Sequence, residues 1–142
     1  MTKITMSEAR SQIESIIAEF PNGHKGQNPG QPFCVYFIFD DWALVPSCII
    51  GQWLHRHGLL RLASSSGDDD GIVSGWICQF DSSFWERFEG VGFHVSLNAR
   101  AFLREVQDTQ DNLISWDDIN LDEAEKVARF RTGHSEELFW DE

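Results

Sequence analysis

Three side chains on one short stretch are of the types from which covalent catalysis is built: Cys48, His55 and His57, within VPSCIIGQWLHRHG. A thiol in the first turn of a helix lies in the positive end of the helix dipole, which favours the reactive thiolate. A nucleophile also needs a base within hydrogen-bonding reach. His55 and His57 follow about two turns later, about 10 Å along the helix axis, so neither reaches Cys48 on a single helix. The spacing favours a structural cysteine, and Cys48 as the nucleophile of an unrecognised enzyme is the alternative. The two histidines suit a metal no better. Residues two apart on a helix project roughly 200° from one another, so both cannot bind one ion. His24, His94 and His134 would each need ligands from distant parts of the chain, and no metal is expected.

Other patterns that can carry chemistry point the same way. Asp68, Asp69 and Asp70 are consecutive, whereas a calcium loop presents its ligands at alternate positions, so they read as a solvated loop tip. Asn22 to Pro32 carries three Gly and two Pro in eleven residues. This loop leads into a strand and not into the helix N-terminus that a phosphate site uses. There is no nucleophile elbow or dinucleotide fingerprint, and no acid–base pair stands out among 23 carboxylates. No catalytic residue and no cofactor are expected, and the chain is not expected to be an enzyme.

Charge is the stronger signal. Eleven basic residues face 23 acidic ones, a formal net charge of -12. Such a surface repels nucleic acid and anionic membranes and attracts basic proteins. Between positions 105 and 125 there are eight acids and no Lys or Arg: Glu105, Asp108, Asp111, Asp117, Asp118, Asp122, Glu123 and Glu125. These eight are the expected partner-binding residues, and the expected partner is a basic protein. Oligomeric state is not legible.

At 142 residues the chain is read as one domain, 1–142, able to bury about two-thirds of the surface its unfolded form exposes. Six Trp and eleven Phe read as a large aromatic core, with part of the excess at an interface as the alternative. Three cysteines without a Cys-x-x-Cys spacing argue against a disulfide framework and for reduced thiols in the cytoplasm. No signal-peptide run opens the chain, and no stretch reaches the roughly 20 apolar residues of a membrane span.

The elements follow from periodicity. Thr5-Met6-Ser7-Glu8 fits a capping box, and Ala9, Ile13, Ile16, Ile17 and Phe20 recur at helical spacing, predicting a helix over Met6–Phe20. Cys34–Phe39 and Ala43–Val45, separated by Asp40 and Asp41, predict an antiparallel hairpin. Pro46 closes it, and Ser47 caps a helix from Cys48 that buries Ile49, Ile50, Trp53 and Leu54 and stops at Gly58, with Leu59 beyond it. Ala63–Gly75 reads as a loop, and Ile72–Phe80 as a third strand beside the hairpin. A short helix over Ser83–Gly90 and a short extended segment or connection over Val91–Val95 come next. A helix starting at Ser96 presents Ala99, Phe102, Leu103, Val106, Gln110 and Leu113, and a last helix over Trp116–Phe130 is entered through Ser115. The tail, 132–142, is either docked by Leu138, Phe139 and Trp140 or flexible and open to a partner. The expected fold class is α+β: four to five helices on a small antiparallel sheet made of the hairpin and one strand.

PSCIIG opening a helix that LHRHG closes, and FLREVQDTQDNLISW over Phe102–Trp116, together resemble a family of short uncharacterised proteins of actinobacteria and their phages. The resemblance implies provenance, a phage or another mobile element, and no chemistry. Combined with the charge, it leads to a non-enzymatic interaction protein or inhibitor. Its acidic face would block a basic nucleic-acid-binding host protein, in its sharpest form as an anti-CRISPR or anti-restriction DNA mimic. An immunity or antitoxin-like protein that neutralises a toxin is the alternative.

Overall fold

The computed structural model describes residues 2–20, 37–40, 43–46, 49–59, 82–111, 115–133 and 138–139. Helix α1 (Met6–Glu19) begins where its sequence promises a cap: Thr5 is extended, and its Oγ1 accepts the Glu8 N–H at 3.2 Å, satisfying one of the free N–H groups of the first turn. One face of α1 is buried through Met6, Ala9, Ile13 and Ile16. Each isoleucine so buried contributes about 1.5–3 kcal/mol.

Helix α2 (Ile49–Arg56) buries Ile49, Ile50, Trp53 and Leu54 completely. It ends in a Schellman motif. Gly58 adopts φ +71°, its N–H donates to His55 O at 3.0 Å, and the Leu59 N–H reaches back to Leu54 O at 2.8 Å. Leu59 is itself buried, the apolar contact that accompanies this ending. Cys48 and Ser47 lie outside the described residues.

Strand β1 (Thr2–Ile4) runs parallel to β4 (Phe93–Val95), with Thr2 opposite Phe93 and Ile4 opposite Val95. The Thr2 N–H to Gly92 O and Ser96 N–H to Ile4 O bonds extend the ladder at both ends. Between these partners the described chain forms α1, β2 (Phe37–Asp40), β3 (Ala43–Pro46), α2 and α3 (Ser82–Glu89). β2 and β3 pair antiparallel, Phe37 opposite Pro46 and Asp40 opposite Ala43, as a separate two-stranded ladder.

The expected α+β fold class, helices on an antiparallel sheet, is overturned. Five helices make up most of the described residues, and the strands form two separate pairs, one of them parallel. The expected third strand, Ile72–Phe80, lies outside the described residues. Helical side chains also dominate the described core, joined by Ile4, Phe93 and Val95 of the parallel pair. The physical reason is range: β1 is three residues long, and among the described residues its ladder partner is Gly92–Ser96, far along the chain.

Helix α4 (Leu97–Asp111) starts from Ser96, whose buried Oγ accepts the Ala99 N–H at 3.0 Å. It packs on α1, on α2 and most extensively on α5 (Leu121–Thr132). The single helix expected over Trp116–Phe130 is divided. Trp116–Asp118 form a 3₁₀ turn, Ser115 makes no side-chain cap, and Asn120 caps α5 by accepting the Glu123 N–H at 3.1 Å. Asn competes for backbone groups in this way and so favours caps over helix interiors. Ahead of the break, Trp116 is fully buried and packs edge-on against Phe20, ring centroids 5.0 Å apart.

Candidate partner-binding surface

The eight acids lie on three elements, and the fold divides them. Glu105, Asp108 and Asp111 come from α4, Asp117 and Asp118 from the 3₁₀ turn, and Asp122, Glu123 and Glu125 from α5. The side chain of Asp111 lies outside the described residues.

Glu125 faces inward and meets Arg10 of α1, whose Nη1 is 2.8 Å from its Oε2. The same nitrogen lies 2.7 Å from Asp122 Oδ1, and Arg10 Nε lies 2.8 Å from Glu14 Oε1. One guanidinium thus gathers three carboxylates, as five N–H donors in a rigid fork allow. Hydrogen bonding to Glu14 first, and to Asp122 next, raises the Arg10 pKa further above its ordinary value, so its charge is permanent. Glu105 is half-buried between α4 and α5, with Arg131 Nη1 2.8 Å from its Oε1. No aligned hydrogen bond reaches that oxygen, so the contact is an ion pair without the directional bond. Asp108 stands 4.0 Å from Arg104, one turn back on α4.

Two of the cations that neutralise these acids, Arg10 and Arg131, lie outside positions 105–125, so the sequence window does not contain them. No local signal could have shown the part played by Arg10, 115 positions from Glu125. Asp117, Asp118, Asp122 and Glu123 remain exposed. Asp122 and Glu123 occupy the first turn of α5, where negative charge also complements the helix dipole. Among the described residues, Asp117, Asp118 and Glu123 make no ion pair.

His55, His57 and His94 are the described histidines. His55 is exposed. His57 is half-buried, its Nε2 donating to Gln12 Oε1 at 2.9 Å, while Trp53 Nε1 donates to the same oxygen at 2.7 Å. Its ring packs against Trp53 and Phe93, centroids 4.8 and 4.9 Å away. Burial lowers its pKa below the ordinary 6.5. A single amide oxygen tied to two ring N–H groups, with aromatic rings on both sides, is a packing arrangement. His94 lies half-buried on β4, and His24 and His134 lie outside the described residues. Among the described residues, no three His, Cys, Asp or Glu side chains are grouped to hold a metal ion.

No protein-family model matches the chain, and neither does any curated protein or solved structure. Among the described residues no helix is long and apolar enough to cross a membrane. The tail makes defined contacts where it is described. Leu138 O accepts the Leu97 N–H at 2.6 Å, Phe139 O accepts from Arg100 Nη2 at 3.4 Å, and Lys3 Nζ lies 5.3 Å from the Phe139 ring centroid.

Proposed function

We propose that this chain is a non-enzymatic interaction protein that binds a basic protein through Asp117, Asp118, Asp122 and Glu123. The supporting observation is the division of the acids. Glu105 and Glu125 are consumed in ion pairs between helices, whereas Asp117, Asp118 and Glu123 stand exposed and make no ion pair among the described residues, and Asp122, though it meets Arg10, is exposed beside them, all within seven positions at the entry to α5. Carboxylates in that setting steer and hold a cationic partner, and salt weakens them. The fuller reading is an inhibitor from a phage or other mobile element that acts in the cytoplasm on a nucleic-acid-binding defence enzyme, as anti-CRISPR and anti-restriction proteins do. With Arg10 and Arg131 set among the acids, a DNA mimic would present a short acidic patch and not a long row of phosphate-like charges.

The test is capture from host lysate with the tagged protein, washed at low and then high salt, beside a variant carrying D117N, D118N, D122N and E123Q. The reading expects a basic nucleic-acid-binding protein held by the wild type at low salt, released at high salt and missed by the variant. Absence of any specific partner at low salt would sink it. Capture of a toxin would move the assignment to an immunity or antitoxin-like protein.

A further inference from the structure

The outward face of α5 carries opposite charges at its two ends. Asp122 and Glu123 are exposed in its first turn, and Lys126, Arg129 and Phe130 in the turns that follow. At 3.6 residues per turn, positions 123, 126 and 130 form one stripe with 122 and 129 beside it. Phe130 is 88% exposed, although large apolar side chains elsewhere on the described helices are packed inward. Arg10, Arg56, Arg100, Arg104 and Arg131 each hold a carboxylate. Glu123, Lys126 and Arg129 make no ion pair among the described residues. Among the described residues, α5 of this acidic chain thus keeps two cations without an ion pair beside a bare aromatic ring.

We infer that this face of α5 docks against the same face of a second copy, antiparallel, about a two-fold axis near Lys126. Acid-then-base order along one helix is complementary to itself when reversed, which is what an isologous interface requires. With the axis at Lys126, Glu123 of each copy faces Arg129 of the other, and each Phe130 is covered by the first turn of the opposite helix. The flexible Lys126 stems can splay from the axis toward the opposing Asp122 and Glu123. Each copy carries a net charge of -12, and that repulsion is long-range. It is screened beyond about 8 Å at physiological salt, whereas pairs partly buried in the contact are screened much less and a buried ring not at all. Self-association therefore strengthens from very low to physiological salt, the opposite of the salt response of a basic partner. The dimer also covers Glu123, so self-association and partner binding compete.

Light-scattering mass measured across a protein concentration series, at very low and at physiological salt, tests this. The expected result is a rise toward twice the monomer mass with concentration, more complete at physiological salt. F130S, E123K and R129E should each remain monomeric, and an equimolar mixture of E123K with R129E should recover the doubled mass, because its chains restore both opposed pairs. Far-UV circular dichroism confirms that these surface variants are folded. A wild-type mass that stays at one copy throughout overturns the inference whatever the variants do, as does an F130S chain that dimerises like the wild type or a mixture that stays monomeric.

Discussion

Arg10 and Glu125, 115 positions apart, meet at 2.8 Å and fasten α1 to α5. What joins them is one cation shared by Glu14, Asp122 and Glu125, with Glu125 the most sheltered of the three.

Removing Arg10 leaves Glu125 sheltered and without its counter-charge. R10M should destabilise the fold by about 1–3 kcal/mol, the cost of stranding a partly buried charged group. R10K should recover only part of this, since an ammonium cannot present a guanidinium's fork. The midpoint of urea unfolding measures both, and an R10M midpoint equal to wild type would show that the cluster contributes nothing.

Two of the glycines that end helices, Gly58 and Gly90, should respond differently. Gly58 sits at φ +71°, and a Cβ added there would meet no atom within 4 Å, so its constraint is backbone conformation and not space. G58A should cost about 1–2 kcal/mol, the penalty of a left-handed L-residue. A Cβ on Gly90 would meet Arg87 O at 3.5 Å and Glu86 O at 3.7 Å, ordinary contacts. G90A should be close to neutral in thermal unfolding, and equal losses at both sites would refute the distinction.

His57 should make stability depend on pH. Burial holds its folded pKa below 6.5, so below that value the unfolded chain binds the proton more readily. The stabilisation is complete above about pH 6.5 and is lost as pH falls from there toward the folded pKa. H57Q, which can still donate to Gln12, removes the titration. The stability difference between wild type and H57Q should shift against the wild type between neutral pH and about pH 5; a constant difference would contradict this assignment.

Arg100 ties the tail to the body. Its Nε donates to Val95 O at 2.9 Å, its Nη2 to Glu89 at 2.7 Å and to Phe139 O at 3.4 Å, and its guanidinium lies 5.5 Å from the Trp85 ring centroid. A chain ending at Glu137 loses the Leu138 O acceptor of Leu97 N–H. Hydrogen exchange at Leu97 should accelerate, with a stability loss of about 1–2 kcal/mol. Unchanged protection at Leu97 would mean that the tail does not seal the start of α4.

Much of the helical framework could be read locally. Thr5 and Ser96 as caps, Gly58 as a stop, the α2 face of Ile49, Ile50, Trp53 and Leu54, and Ala99, Phe102, Leu103 and Val106 on α4 all depend on residues within one or two turns of each other. The acid run was equally plain as a run. Its division was not, because Arg10 reaches Asp122 and Glu125 only once α1 lies against α5. The Trp116–Phe130 helix was misjudged more narrowly: Ser115, read as its entry, makes no cap bond, and Asn120, five residues on, does.

The sequence by itself determined the Thr5 and Ser96 caps, the Gly58 stop, the buried helix faces and the excess of acid, because those depend on residue type and short-range spacing. Tertiary structure alone decided that Thr2–Ile4 pairs in parallel with Phe93–Val95, and that among the described residues Glu105, Asp122 and Glu125 are answered by arginines while Asp117, Asp118 and Glu123 are not. Ladder bonds and ion pairs act over a few ångströms of space, and only the packing of the helices brings residues so far apart in sequence within that distance.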